Sequence, residues 1–130
     1  MANERLIVFD LQLINELRST VGPCNSFILV DEEQIRSRCD LKSRAIPFLE
    51  RNGDYWGPPA DDQAAIQELN RLRSAGGEYI VFISPTFWWL DHYASFHRYL
   101  QTNFRLVVNN KRLIVFDLRD QTGHREGQPN

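Results

Sequence analysis

The run Tyr79-Ile80-Val81-Phe82-Ile83 restricts the fold of this chain more than any other stretch. Five consecutive apolar residues, mostly β-branched or aromatic, suit a strand covered on both faces. Gly76-Gly77 precedes the run and Ser84-Pro85 stops it, because proline cannot donate to a ladder. Such a strand belongs inside an α/β sheet, and its neighbours are sought on either side.

Upstream, Ser26-Phe27-Ile28-Leu29-Val30 has the same character and ends in Asp31-Glu32-Glu33, the pattern of a first buried parallel strand with acidic groups at its C-terminal end. Ala45-Ile46-Pro47-Phe48-Leu49 reads as an irregular or edge strand because of Pro47. Between these two, Gln34 to Cys39 suits a short helical turn. Asp61 or Asp62 caps a helix running to about Ala75, with Ala65, Ile66, Leu69 and Leu72 as its apolar stripe and Gly76-Gly77 as a left-handed stop. At the start of the chain, Leu6, Phe9, Leu13, Leu17 and Val21 recur at helical spacing. An alternative there is a short strand, Arg5-Leu6-Ile7-Val8-Phe9-Asp10, a hexapeptide that recurs as Arg112 to Asp117.

Downstream, a helix is expected from about Trp88 or Asp91 to Asn103, with Leu90, Tyr93, Phe96, Tyr99 and Leu100 on related faces. Phe104 to Val108 and Leu113 to Leu118 read as two strands of a hairpin, with Asn109-Asn110 supplying positive φ in a tight turn. The expectation is one α/β domain over residues 1–118, a three-layer or two-layer sandwich with a mainly parallel, Rossmann-like sheet and an antiparallel C-terminal edge hairpin. Residues 119–130 carry nothing apolar to bury and read as a flexible tail that includes a solvated His124. The core is expected to hold Phe27, Ile28, Leu29, Val30, Ile66, Leu69, Ile80, Val81, Phe82, Ile83, Phe96, Leu100, Val107, Ile114 and Phe116.

Composition removes several function classes. A chain of 130 residues with 42% hydrophobic and 25% charged residues and a net charge of −2 is an ordinary globular domain without a polyanion-binding surface, so nucleic acid is not an expected partner. Its apolar runs are far short of the ~20 residues a bilayer demands, and no signal order opens the chain, which makes the expected location cytoplasmic. Cys24 and Cys39 suit two reduced thiols. No metal and no cofactor is expected: His92 and His97 are five apart, off the i, i+4 spacing, and no glycine-rich phosphate loop follows the first strand.

The segment after the central strand concentrates side chains that do chemistry. Phe87, Trp88, Trp89, Asp91, His92 and Tyr93 stand where open α/β sheets place ligand sites, and a second loop brings Asp54, Tyr55 and Trp56. Successive helical or turn residues point about 100° apart, so Trp88 and Trp89 are not both readily buried in one cluster. An exposed ring beside carboxylates offers an apolar face to the C–H surface of a sugar. The candidate ligand-binding set is therefore Asp54, Tyr55, Trp56, Ser84, Trp88, Trp89, Asp91 and His92. The competing structural reading is that the four rings close the end of the core and that Asp91-His92 open a helix. A rival function is a small α/β hydrolase or transferase using Asp31, Ser84, Asp91 or His92 at the strand ends. A nucleophile elbow wants glycine two residues either side of its serine, and Ser84 has Phe82 and Thr86 there. No catalytic residue is assigned. A third reading is a domain that only mediates assembly.

Three stretches carry a resemblance: Ile46 through Asp62, the helix Ala65 to Gly76, and Glu78 to Phe82 continuing into Phe87-Trp88-Trp89-Leu90-Asp91-His92-Tyr93, with a closing Val115-Phe116-Asp117-Leu118. Together they resemble a segment that accompanies bacterial family 2 glycosyltransferases in multidomain proteins. The resemblance covers roughly Ser26 to Leu118 and is most specific from Phe87 to Tyr93. It implies an accessory domain of bacterial glycan synthesis with a saccharide or a glycosyltransferase as partner. Those transferases hold a metal and a nucleotide-sugar diphosphate through Asp-x-Asp, and this chain has no Asp-x-Asp. The resemblance therefore implies no transferase activity and assigns no functional residue.

Overall fold

The computed structural model describes residues 2–22, 25–32 and 44–119, with side chains from residue 12 onward. The elements run α1 (Ala2–Val21), β1 (Phe27–Val30), β2 (Ala45–Pro47), β3 (Glu50–Arg51), β4 (Asp54–Tyr55), α2 (Asp62–Ser74), β5 (Tyr79–Ile83), a 3-10 turn (Ser84–Thr86), α3 (Trp88–His92), α4 (Ala94–Asn103), β6 (Arg105–Asn109) and β7 (Leu113–Asp117). The expected turn at Gln34 to Cys39, both cysteines, and the tail beyond Arg119 with His124 lie outside the described residues.

The main sheet has the order β2-β1-β5-β7-β6. Its β2-β1 and β1-β5 pairings are parallel, whereas β5-β7 and β7-β6 are antiparallel. The sheet is thus mixed, and the mainly parallel expectation holds only for its β2-β1-β5 half. Burial explains the division. The last strand, Leu113–Asp117, is apolar enough to sit inside the sheet beside β5, while Arg105–Asn109, largely exposed, is left at the edge. Val107, expected in the core, is consequently 36% exposed, and it lies at a bulge between Leu106 and Val108.

Alternation along the strands separates two apolar clusters. Phe27, Leu29, Tyr79, Val81, Ile83, Leu113 and Val115 face α1 through Leu13, Ile14, Leu17 and Val21. Ile28, Val30, Ile80, Phe82 and Phe116 face α2, α3 and α4 through residues that include Leu69, Trp89, Phe96 and Leu100. Among the described residues the arrangement is a three-layer sandwich with one helix on one face and three on the other. Phe48, just beyond β2, stacks on Phe96 at 5.8 Å and meets Trp89 at 5.9 Å, so it closes the second cluster. Ile66 and Ile114, expected in the core, are only partly buried at its margin.

Three local expectations change. The helix expected as one piece after β5 breaks at Tyr93 (φ −103, ψ 67) into α3 and α4, although the Tyr93 and His97 amides keep helical acceptors in Trp89 and Tyr93. The β6-β7 turn does not use positive φ; Asn110 instead accepts the Arg112 and Leu113 amides through its side chain, at 2.8 and 2.9 Å. The pair with left-handed backbone is Asn52-Gly53 (φ 55 and 86), which joins β3 to β4 in a small hairpin. Asp61 caps α2 as expected, accepting the Ala64 amide at 2.8 Å.

The hexapeptide repeat takes two conformations. Residues 5–10 are helical within α1, while 112–117 supply strand β7, and the identity extends one residue further, to Leu11 and Leu118. Context decides which one forms. The first copy is continuous with a stripe that packs as a helix, and the second is held between β5 and β6.

Candidate functional site

The C-terminal ends of the parallel strands β1 and β5 are stapled by one hydroxyl. Thr86 is fully buried, and its Oγ1 lies 2.8 Å from the carbonyl oxygens of both Val30 and Ile83, donating to one at a time. This fixes the 3-10 turn against the end of β1 and launches α3. The chain leaves β1 through buried Asp31 and then Glu32 at φ 52, a conformation uncommon for a side chain other than glycine.

Trp88 and Trp89 part as their angular spacing requires. Trp89 is buried in the α2–α4 cluster and donates its indole N–H to Glu32 Oε2 at 3.2 Å. Trp88 is 43% exposed, with its ring centroid 5.8 Å from Trp89, 5.7 Å from His92 and 6.3 Å from Tyr93. One Trp thus anchors the helix and the other is a braced, half-open ring. The Tyr93 hydroxyl donates to the Pro59 carbonyl at 2.6 Å, which ties the second loop to this cluster. Three residues before Pro59, Trp56 is 70% exposed, although its backbone is held by Leu49, which accepts its amide at 2.8 Å.

Of the remaining sequence candidates, Asp54 is exposed and Tyr55 half-buried on β4, while Asp91 and His92 are exposed on α3. Asp91 stands in the first turn of that helix, where the positive end of the helix favours a carboxylate. Ser84 is half-buried in the turn after β5, and no hydrogen bond joins Ser84, Asp91 and His92 among the described residues. Burial pushes the Tyr93 hydroxyl above its ordinary value, and the charges of Asp62, Glu32 and Asp61 add to that shift. Asp62 also accepts the Phe96 amide at 3.1 Å, satisfying an otherwise open donor in the first turn of α4.

A second polar cluster went unread in the sequence. Glu68 is buried on α2, where it accepts the Glu50 amide at 2.8 Å and pairs with Arg71 at 2.9 Å and Arg51 at 3.3 Å. Burial by itself would raise the Glu68 carboxyl. The hydrogen bonds from Arg71 and the Glu50 amide, with the charges of Arg71 and Arg51, outweigh it and hold the group below its ordinary value. These residues border a groove of about 390 Å³. Glu68 is engaged by Arg71, Arg51 and the Glu50 amide at once, which makes the cluster a clamp between α2 and the β3-β4 hairpin. The signal was available: position 68 shares the face of Ala65, Leu69 and Leu72.

Among the described residues, no group of three or more His, Cys, Asp and Glu side chains is placed to hold a metal ion, and no helix is long and apolar enough to cross a membrane. Comparison with protein-family models, with curated proteins and with solved structures finds no match.

Proposed function

We propose that the chain is a non-catalytic saccharide-binding domain that serves bacterial glycan synthesis beside a glycosyltransferase. The observation that carries the reading is Trp88. A large indole left nearly half open, yet braced by Trp89, His92 and Tyr93, is a preorganised flat apolar surface, and ordering it on binding costs little. Exposed Asp91 and His92 stand on the same short helix to meet sugar hydroxyls, and the loop of Trp56 is tied alongside through Tyr93 and Pro59. Exposed Asp91 on α3 and Glu32 beside Trp89 favour an uncharged glycan over a nucleotide-sugar diphosphate, which fits an accessory role more than a transferase site. The resemblance across Phe87 to Tyr93 supports the same setting.

Titration of the full chain with a panel of neutral oligosaccharides, followed by tryptophan fluorescence and calorimetry, tests this. At least one glycan is expected to bind, and Trp88→Ala is expected to weaken it about tenfold or more while the fold is retained. Loss of binding with Trp56→Ala would place the second loop in the site. Silence across the panel, or binding indifferent to Trp88→Ala, would sink the proposal.

A further inference from the structure

Among the described residues β6 is an edge of the main sheet, and its protection is confined to Arg105 and the bulge at Val107. Leu106 is 44% and Val107 36% exposed, and the strand Arg105–Asn109 carries neither proline nor lysine. The opposite edge among the described residues, β2, is only three residues long and contains Pro47. Residues 5–11 repeat residues 112–118 without a difference, and the second copy forms the strand that already pairs with β6.

We propose that β6 is the docking edge for residues 5–11 of a second copy of this chain, added as an antiparallel strand. The register proposed is the one β7, the same sequence, takes on the other side of β6. That strand sets Asp117 opposite Arg105 and Phe116 opposite Leu106. The same sequence arriving on the free side sets the partner copy's aspartate at position 10 opposite Arg105 and its phenylalanine at position 9 opposite Leu106. An opposite-charge pair forms and an exposed leucine gains cover. Both contacts fall on the Arg105-Leu106 half of β6, before the bulge at Val107.

Releasing the segment from α1 is feasible. Ile7, Val8 and Phe9 are weak helix formers, and the segment lies in the N-terminal half of α1, which the exchange must unwind from Ala2 to Leu11. Reciprocal exchange closes a two-fold dimer, and one-way exchange builds an open chain.

Sedimentation velocity on the full chain over a wide concentration range reads the association, and amide NMR with a synthetic peptide of residues 4–12 reads its location. The expected results are concentration-dependent self-association, peptide-induced shifts centred on Arg105 and Leu106, and no such shifts with a scrambled peptide. Asp10→Arg and Arg105→Asp are each expected to weaken association about fivefold to tenfold, and the double variant to restore it. Rescue is the reading that damage to α1 or β6 alone does not produce. A chain that stays monomeric with β6 amides unmoved by the peptide overturns the proposal. So does association indifferent to both charge reversals, which would mean β6 pairing with itself or contact elsewhere.

Discussion

Replacing Trp89 by alanine deletes the bulkiest of the fully buried side chains, together with its indole bond to Glu32, at the centre of the α2–α4 cluster. A loss of about 3–5 kcal/mol is expected in urea unfolding, whereas Trp88→Ala, one position earlier, is expected to change stability by less than about 1 kcal/mol. Equal effects of the two substitutions would contradict the assignment of one ring to the core and the other to the surface. Thr86 is the second residue with a large expected effect. Thr86→Val keeps the shape but removes the one donor shared by the carbonyls at the ends of β1 and β5, and a cost of about 1–3 kcal/mol is expected, much of it recovered by Thr86→Ser. The angular spacing of neighbouring residues was enough to separate the two tryptophans. Nothing local marks Thr86, because its partner Val30 is 56 positions away.

Elements show where local rules suffice. The cap Asp61, the stripe of α2 and the stop at Gly76 (φ 112) are all legible, since each depends on residues within a few positions. Gly77 looks like part of the same stop but has another duty. A Cβ there would lie 3.0 Å from Ile28 Cγ1 and 3.1 Å from the Leu72 carbonyl oxygen, so the missing side chain lets α2 return closely past β1. Gly77→Ala is expected to destabilise by about 1–3 kcal/mol in thermal or urea melts, and a neutral result would show that this contact yields easily. The same limit explains the repeat. Residues 5–10 and 112–117 carry one set of propensities and form a helix in one place and a strand in the other. Tertiary partners outweigh a local preference of a few tenths of a kcal/mol per residue.

Across the whole molecule, ionic clamps join distant elements and make stability depend on acid. Glu16 on α1 receives Arg112 at 2.7 Å, from the end of the β6-β7 turn, and Glu50 and Glu68 receive Arg71. Asp117 receives Arg119 at 2.8 Å. Hydrogen bonds from these arginines hold Glu16, Glu50 and Asp117 below their ordinary values of 4.5, 4.5 and 3.8, and Glu68 is depressed against its burial. A carboxylate depressed in the folded state stays ionised there while the unfolded chain takes up a proton. Its contribution is therefore complete above the unfolded value and is lost as pH falls through the folded one. Urea midpoints are expected to be flat from near neutrality down to about pH 5 and to drop below about pH 4.5, with a smaller drop in Glu68→Gln. Because the arginines are partly exposed, the loss per pair is modest. A midpoint that does not fall with acid would show that these pairs contribute nothing to stability. By itself the sequence determined the α/β class of the fold, the buried segments that form β1 and β5, the caps of α2 and the crowded segment after β5. All of these follow from hydrophobic period and turn chemistry over short windows. Only the tertiary structure decided that β7 takes the interior place and β6 the edge, that Glu68 is a buried clamp, and that Trp88 is the ring left open. Each of these depends on which surfaces compete for burial once distant segments meet, and that competition is not encoded in any single window of the chain.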